Sequence, residues 1–388
     1  MSNLLNCRRC LYDETFPAIE FDGEGVCNYC RILERMEEQY PNDSRGEAIL
    51  ERMVLQMKKA GQGKKYDCIV GVSGGCDSSY LLYRLVQYGL RPLAVHYDNT
   101  WNSPTATQNI FNVTSALKVP LFTHVMDNHE ADDLYRAFLL SGVRELDCAS
   151  DIAFVATLYR QAEKHGVKFI IEGHSFRTEG FAPLGWSYFD GKYIESVHQT
   201  FGKLKHLKTF PNMSLWQFIR WTGLRNIKRL RPLYYMKYDK EEAKAFLSSN
   251  LGWQWYGGHH LENRMAAFKH SYVTQAKGED TRILGYAAMV RSGQMSREEG
   301  LRLLALPAEH DTSIVELVKK RLGFDDETLQ TLMARPYRPY TDFATYKRSF
   351  ERLRPLFWLL LRLDRIPQSF YIKYCFPRVD DSLSAPKP

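Results

Sequence analysis

No apolar run in this sequence is long enough to cross a bilayer. The most lipid-like stretch, 355–363, is too short for a span and is interrupted by Arg362. The chain opens with NLLNCRRC and shows no apolar core of a secretory leader, so the expected location is the cytoplasm. Two common phosphate-binding signatures are missing as well. Neither GxxxxGK followed by Ser or Thr nor GxGxxG occurs, which sets aside Walker-type and dinucleotide-type loops. Excess acid is also lacking: the net charge is +7, which suits an acidic partner such as nucleic acid, a nucleotide-sugar or an anionic membrane face. A reducing compartment leaves no use for disulfides, so the eight cysteines point to metal binding or chemistry. At 388 residues the chain has room for one large α/β domain with smaller attachments.

Four of the cysteines stand at the start, Cys7 and Cys10, then Cys27 and Cys30. Each CxxC pair sets two thiolates on one tight knuckle, and two knuckles supply the four soft ligands of a closed, structural zinc site. Residues 31–60 carry helical spacing, broken at Pro41, and 61–65 form a hinge. The apolar run 68–72 then reads as a buried strand. It is followed by the turn Ser73, Gly74, Gly75, Cys76, Asp77, Ser78 and Ser79, and by helical periodicity over 80–87. Adjacent glycines let backbone amides approach an anion, the serines add donors, and the helix start is electropositive.

Three more apolar runs, PLAVHYD, LFTHVM and KFIIEG, alternate with helical segments, predicting a doubly wound parallel sheet. Ligands in such sheets gather beyond the carboxyl ends of the strands. That rule places the 73–79 turn, Asp98 and the segment 173–179, with Gly173, His174 and Glu179, around one crevice.

The SGGCDS turn resembles the signature of the PP-loop ATP pyrophosphatases, which cut ATP between its α- and β-phosphates. Together with DETFPAIEFDGEGVCNYC, HYDNTWNS, EGHSFRTEG, YGGHHLENR and SGQMSREE, spread over 5–305, it resembles the N-acetyl sugar amidotransferases of lipopolysaccharide O-antigen and surface-glycan biosynthesis. The resemblance implies an adenine nucleotide alpha hydrolase-like sheet with an N-terminal zinc ribbon (1–45), a PP-loop domain (46–250) and a mainly helical C-terminal region (251–388). It implies conversion of a sugar acetamido group to an acetamidino group: AMP is placed on the amide oxygen, and ammonia displaces it. ATP, Mg2+ and a structural Zn2+ would be the cofactors, and an N-acetylated nucleotide-sugar the substrate. Ser73, Gly74, Gly75, Cys76, Asp77, Ser78, Ser79, Asp98, Gly173 and His174 would hold the nucleotide, with Asp77 also near Mg2+.

The resemblance also implies Asp77, Lys237 and Glu179 as the catalytic set. From the residues alone, Lys237 reads equally as a solvated lysine at a helix start, and Glu179 as a charge on a surface loop. For His259, His260, Glu262 and Asn263 the resemblance implies substrate or partner contacts; read from the residues alone, neighbouring histidines on a helix point about a third of a turn apart and do not make a HxxxH-type metal site. Nothing in the chain resembles a glutaminase. The resemblance therefore implies a glutaminase subunit and a cyclase-like barrel subunit that conducts ammonia.

Two stretches stay open. Residues 201–240 are strongly basic with interleaved aromatics, suiting nucleic acid, a nucleotide-sugar diphosphate or merely a solvated face. The aromatic and arginine-rich tail 337–376 reads as an interfacial membrane helix at the inner face, or as a helix packed on the catalytic domain or a subunit. The competing function is a tRNA-modifying PP-loop enzyme, a thiolase or a lysidine-type ligase. A thiolase usually needs a further cysteine pair, whereas Cys148 and Cys375 are isolated.

Overall fold

A computed structural model describes residues 5–180, 188–257, 261–307 and 311–377. After α1 (Asn28–Gln39) and α2 (Ser44–Ala60) come β1 (Cys68–Gly71), α3 (Cys76–Gln87), β2 (Pro92–Asp98), α4 (Pro104–Ala116), β3 (Leu121–Val125), α5 (Asn128–Ser141), α6 (Cys148–Lys164) and β4 (Phe169–Ile171). Then follow α7 (Gly191–Phe201), α8 (Leu215–Ile219, continuing as a wider turn to Leu224), β5 (Lys228–Leu230), α9 (Lys240–Leu251) and α10 (Arg264–Phe268). Short helices occupy much of the rest.

The five strands form one parallel sheet in the order β3-β2-β1-β4-β5. The doubly wound architecture expected from the apolar runs is thus present. β5 is an addition, because its Lys-Arg-Leu sequence carries no strand signal. β1 is buried along its whole length. One face of the sheet packs against a core shared by α2, α3, α4 and α9, and the other against α6 and the C-terminal helices. The chain leaves β1 first toward β2 and later toward β4, so the connections diverge at the carboxyl end of β1 and open a crevice there.

Residues beyond 251 do not share one core of their own. Met265, Phe268 and the helices Thr312–Leu322 and Asp326–Ala334 pack with α5 and α7. The helix Arg282–Arg291 covers the cysteine module. The helices Lys347–Arg352, Arg354–Arg362 and Gln368–Cys375 pack on α6 and α8. Phe357 is fully buried there, with its ring centroid 5.1 Å from Phe350 and 5.9 Å from Phe370. Phe357→Ala should therefore cost about 3–5 kcal/mol of stability, as for any large side chain removed from a closed core. Urea denaturation measures it, and a loss under 1 kcal/mol (~) would mean that the tail is not integral to the sheet's core.

Candidate functional site

The 73–79 turn lies at the carboxyl end of β1, and its conformation explains its glycines. Gly74 has φ +82°, and a Cβ there would stand 2.3 Å from the Ala106 carbonyl oxygen of α4. The Gly74 carbonyl accepts from the indole of Trp253 at 2.9 Å and from the Asn109 amide at 3.3 Å, fixing the loop from behind. Gly75 caps α3 without any side-chain bond, so no side chain occupies the first-turn amides that would face an anion. Ser78 reaches back to Gly75 O at 3.3 Å and lies 3.4 Å from the Ser73 hydroxyl. Gly173, past the end of β4, passes so close to Ser78 that a Cβ would stand 2.8 Å from its Cα. Ser79 is buried in the first turn of the helix. Cys76 is buried too, and burial pushes its thiol up to about 12, leaving it neutral.

Asp77 projects from the first turn of α3 into an ion pair. Its Oδ2 accepts from Lys240 Nζ at 3.1 Å and its Oδ1 from the Tyr238 hydroxyl. Lys240 is only 7% exposed; burial works against its charge, but the carboxylates of Asp77 and Glu179 outweigh it and hold the pKa above the ordinary value. Glu179 is likewise pushed well up, by burial and then by Asp77, which favours its neutral form. Its Oε2 lies 3.4 Å from Nε2 of His174, whose Nδ1 is 3.0 Å from the Tyr234 hydroxyl. Burial, reinforced by Arg231, depresses His174 to about 4, so the ring is neutral at physiological pH. Behind it, Glu172 binds Arg229 and, at 3.0 Å, Arg231. Burial alone would raise Glu172, but the two arginines hold it at about 2.

Lys237 stands elsewhere. It is exposed and borders a groove of about 440 Å³ with Tyr80, Arg84, Asp239 and Phe246, on the outer side of α3 and α9. The chain is extended at the N-cap Asp239, so alternate residues share a face: Lys237 and Asp239 point outward, Tyr238 and Lys240 inward. The lysine beside the loop is Lys240, three residues further on. Asp98 accepts from Thr100 N at 2.7 Å and from the Asn102 side chain at 3.0 Å, shaping the turn after β2. Asn263 caps α10 and bonds Asn99 Oδ1 at 2.9 Å, tying that turn to the C-terminal region. Glu262 keeps one buried carboxylate oxygen without a partner, and burial raises its pKa. His259 and His260 lie outside the described residues.

The four N-terminal cysteines are buried with their sulfurs within 4.8 Å of one another. Three separations, 3.6, 3.7 and 3.8 Å, match the roughly 3.8 Å edge of a tetrahedron with metal–sulfur bonds near 2.3 Å. Backbone amides of Arg9, Cys10 and Cys27 donate to Cys7 Sγ, and Arg291 Nη2 lies 3.3 Å from Cys10 Sγ. Such a donor set suits a tetrahedral metal held by thiolates. From this module α1 leads toward the crevice. Arg177 donates to Tyr40 O, just past α1, and to Tyr234 O, both at 2.8 Å, bracing the 173–179 segment.

Comparison with known proteins gives one family match: residues 262–356 fit the family described as "LPS biosynthesis protein WbpG-like, C-terminal domain", about a quarter of the chain. No curated protein sequence matches. Among solved structures, the chain is similar to NMN synthetase from Francisella tularensis (14% identity, 76% of this chain and 98% of that one, TM-score 0.32). It is also similar to the NH3-dependent NAD synthetase from Campylobacter jejuni (13%, 76% and 98%, 0.31) and to the U34-tRNA thiolase NcsA from Methanococcus maripaludis (13%, 83% and 99%, 0.29). At such scores nothing about chemistry passes from them to this chain.

Two outcomes test this geometry. Glu172, depressed from 4.5 to about 2, adds stability above pH 4.5 that disappears as pH falls toward 2. Glu172→Gln should lack that component, so denaturant titrations across this window should bring its stability and that of the native chain closer as pH drops; parallel curves would contradict the pairing. Cys10→Ser should lower the bound metal found by elemental analysis and reduce Tm, whereas unchanged metal content would remove Cys10 from the ligand set.

Proposed function

We propose that this chain is an ATP-dependent enzyme of surface-glycan biosynthesis that activates the acetamido group of an N-acetylated nucleotide-sugar and replaces its oxygen with nitrogen. The observation that carries this reading is the uncapped start of α3 behind the SGGCDS loop, with Asp77 and Lys240 beside it at the switch point of the sheet. The match of 262–356 to a lipopolysaccharide-biosynthesis family supports the pathway, and Glu262 and Asn263 at its start adjoin this crevice.

In this reading the amide oxygen attacks the α-phosphorus of ATP and pyrophosphate leaves along the loop. Ammonia then adds to the imidate carbon, AMP departs, and the amidine keeps the new nitrogen. Loop amides and Lys240 stabilise charge on the departing phosphates. Each Asp77 oxygen retains a lone pair beyond its bonds to Tyr238 and Lys240, so Mg2+ at Asp77 fits the donor set; it would draw charge from the phosphates. The neutral ring of His174 can take the proton that ammonia sheds. Zn2+ is the metal assigned to the four cysteines, and a glutaminase with an ammonia-conducting barrel protein is assigned as the nitrogen supply.

Part of the basic stretch that favours the tRNA-modifying alternative is engaged within the protein. In the basic stretch 201–240, Arg220 and Arg225 bind Glu163, Arg229 and Arg231 bind Glu172, Lys228 binds Asp364 and Lys240 binds Asp77. Glu172 and Asp77 draw Arg229, Arg231 and Lys240 inward, so a nucleic-acid backbone would meet less of this stretch than its sequence suggests.

The test is AMP and pyrophosphate release from ATP with ammonium, comparing N-acetylated nucleotide-sugars with bulk tRNA. Sugar-dependent release is expected, falling at least 100-fold (~) in Lys240→Met and within about 3-fold of normal in Lys237→Met. Release that depends on tRNA would overturn the proposal.

A further inference from the structure

Away from the crevice, the chain presents large apolar side chains to solvent on two neighbouring helices. Trp216 is 71% exposed and Leu224 83% exposed on α8 and its continuation; Trp358, Leu359 and Leu363 are about half exposed on the helix Arg354–Arg362 and just after it. Their inner faces share one core: the rings of Phe218 and Phe357 are stacked at 6.5 Å, and a Cβ at Gly223 would stand 3.8 Å from the Leu360 side chain. The exposed residues are thus concentrated on two helices that share one core, with Lys228 and Asp364 joining their C-terminal ends, and we read this concentration as an interaction site.

The charges around this face have one dominant sign. Arg220, Arg225, Lys228, Arg352 and Arg362 border it, against the acids Glu163 and Asp364. The Arg362 guanidinium lies over the Trp358 ring at 5.3 Å, so the cation and the aromatic stand at one level of the surface. Tryptophan and leucine at the tip, ringed by arginines with long stems, is the composition of a surface that sits in the headgroup layer. Among the described residues no helix is long and apolar enough to cross a membrane, so any contact would be from one side.

We propose that this face binds an anionic lipid surface. Its position bears on substrate entry. Glu163 lies at the C-terminal end of α6, and Lys168 Nζ holds Arg225 O at 2.7 Å beside the start of β4, where Phe169 pairs with Lys228. The face thus lies toward the amino-terminal ends of β4 and β5, whereas the phosphate loop lies at the carboxyl end of β1, which runs parallel to them. A docked chain keeps its crevice turned to the solution, so substrate enters from the aqueous phase.

The test is cosedimentation of the full chain with vesicles of phosphatidylcholine alone or mixed with phosphatidylglycerol, at low and high salt. Binding is expected only with phosphatidylglycerol, weakening with salt. It should drop at least about 20-fold in the double variant Arg352→Glu/Arg362→Glu and at least about 10-fold in Trp358→Ser/Leu359→Ser. These side chains are exposed, so circular dichroism and Tm should stay those of the native chain, and ATP cleavage in solution should be unaffected. The proposal is overturned if phosphatidylglycerol vesicles are ignored at low salt, or if neither double variant weakens binding. It is equally overturned if the variants instead weaken capture of a co-expressed glutaminase or barrel subunit while vesicles remain unbound, since the face would then dock protein. ATP cleavage by the free chain reads the proposed chemistry separately from either result.

Discussion

The Asp77–Lys240 pair ties together parts of the chain more than 160 residues apart. Asp77 starts α3 directly behind the SGGCDS loop, and Lys240 starts α9 on the far side of β5 in sequence. Both charges are nearly buried, and burying them is unfavourable unless each has its partner and hydrogen bonds. Tyr238 supplies one such bond, to Asp77, and sits 3.6 Å from Cys76 Sγ. Losing either partner would strand a charge in the protein, so the geometry of the loop depends on residues that arrive much later in the chain. Glu179 feels the same pair: Asp77 helps raise it and Lys240 opposes that rise.

The second support of the crevice comes from the opposite end of the sequence. The cysteine module looks remote from chemistry, but α1 carries it to Tyr40, whose carbonyl Arg177 grips. Arg177 is 6% exposed, stacks on Phe176 at 4.4 Å and also holds Tyr234 O; the Tyr234 hydroxyl in turn meets His174. Arg291 and Arg297 bind the module from the other side, through Cys10 Sγ and through the carbonyls of Cys10 and Cys7. A closed metal site can therefore serve the crevice without approaching it, by fixing the helix against which the 173–179 segment is packed.

Much of this was legible in the residues. The runs at 68–72, 92–98 and 169–171 announce themselves because buried parallel strands are largely apolar, the run at 121–125 is short and apolar enough to read as a strand although it forms the exposed edge of the sheet, and the CxxC spacing announces a four-sulfur cluster. β5 was not legible. Lys228 and Arg229 look like surface charge until Glu172 on the adjoining segment and Asp364 from the tail neutralise them, and no local pattern contains either partner. That Lys240 rather than Lys237 stands beside the loop was hidden for a related reason. Both are lysines near a helix start, and only the extended backbone at Asp239 decides which one turns inward. The tail gave two readings: Phe357 and Leu360 pack on the domain as one of them describes, while Trp358 and Leu359 remain outside and the membrane contact of the other is a proposal.

The central claim is that the crevice adenylates an amide oxygen, and isotope tracing tests it most directly. A nucleotide-sugar carrying 18O in its acetamido group is incubated with the chain, ATP and ammonium, and the AMP formed is weighed by mass spectrometry. Adenylation at the amide predicts AMP containing one 18O, together with a sugar that has exchanged that oxygen for nitrogen. AMP free of label, with 18O retained in the sugar, would contradict the account.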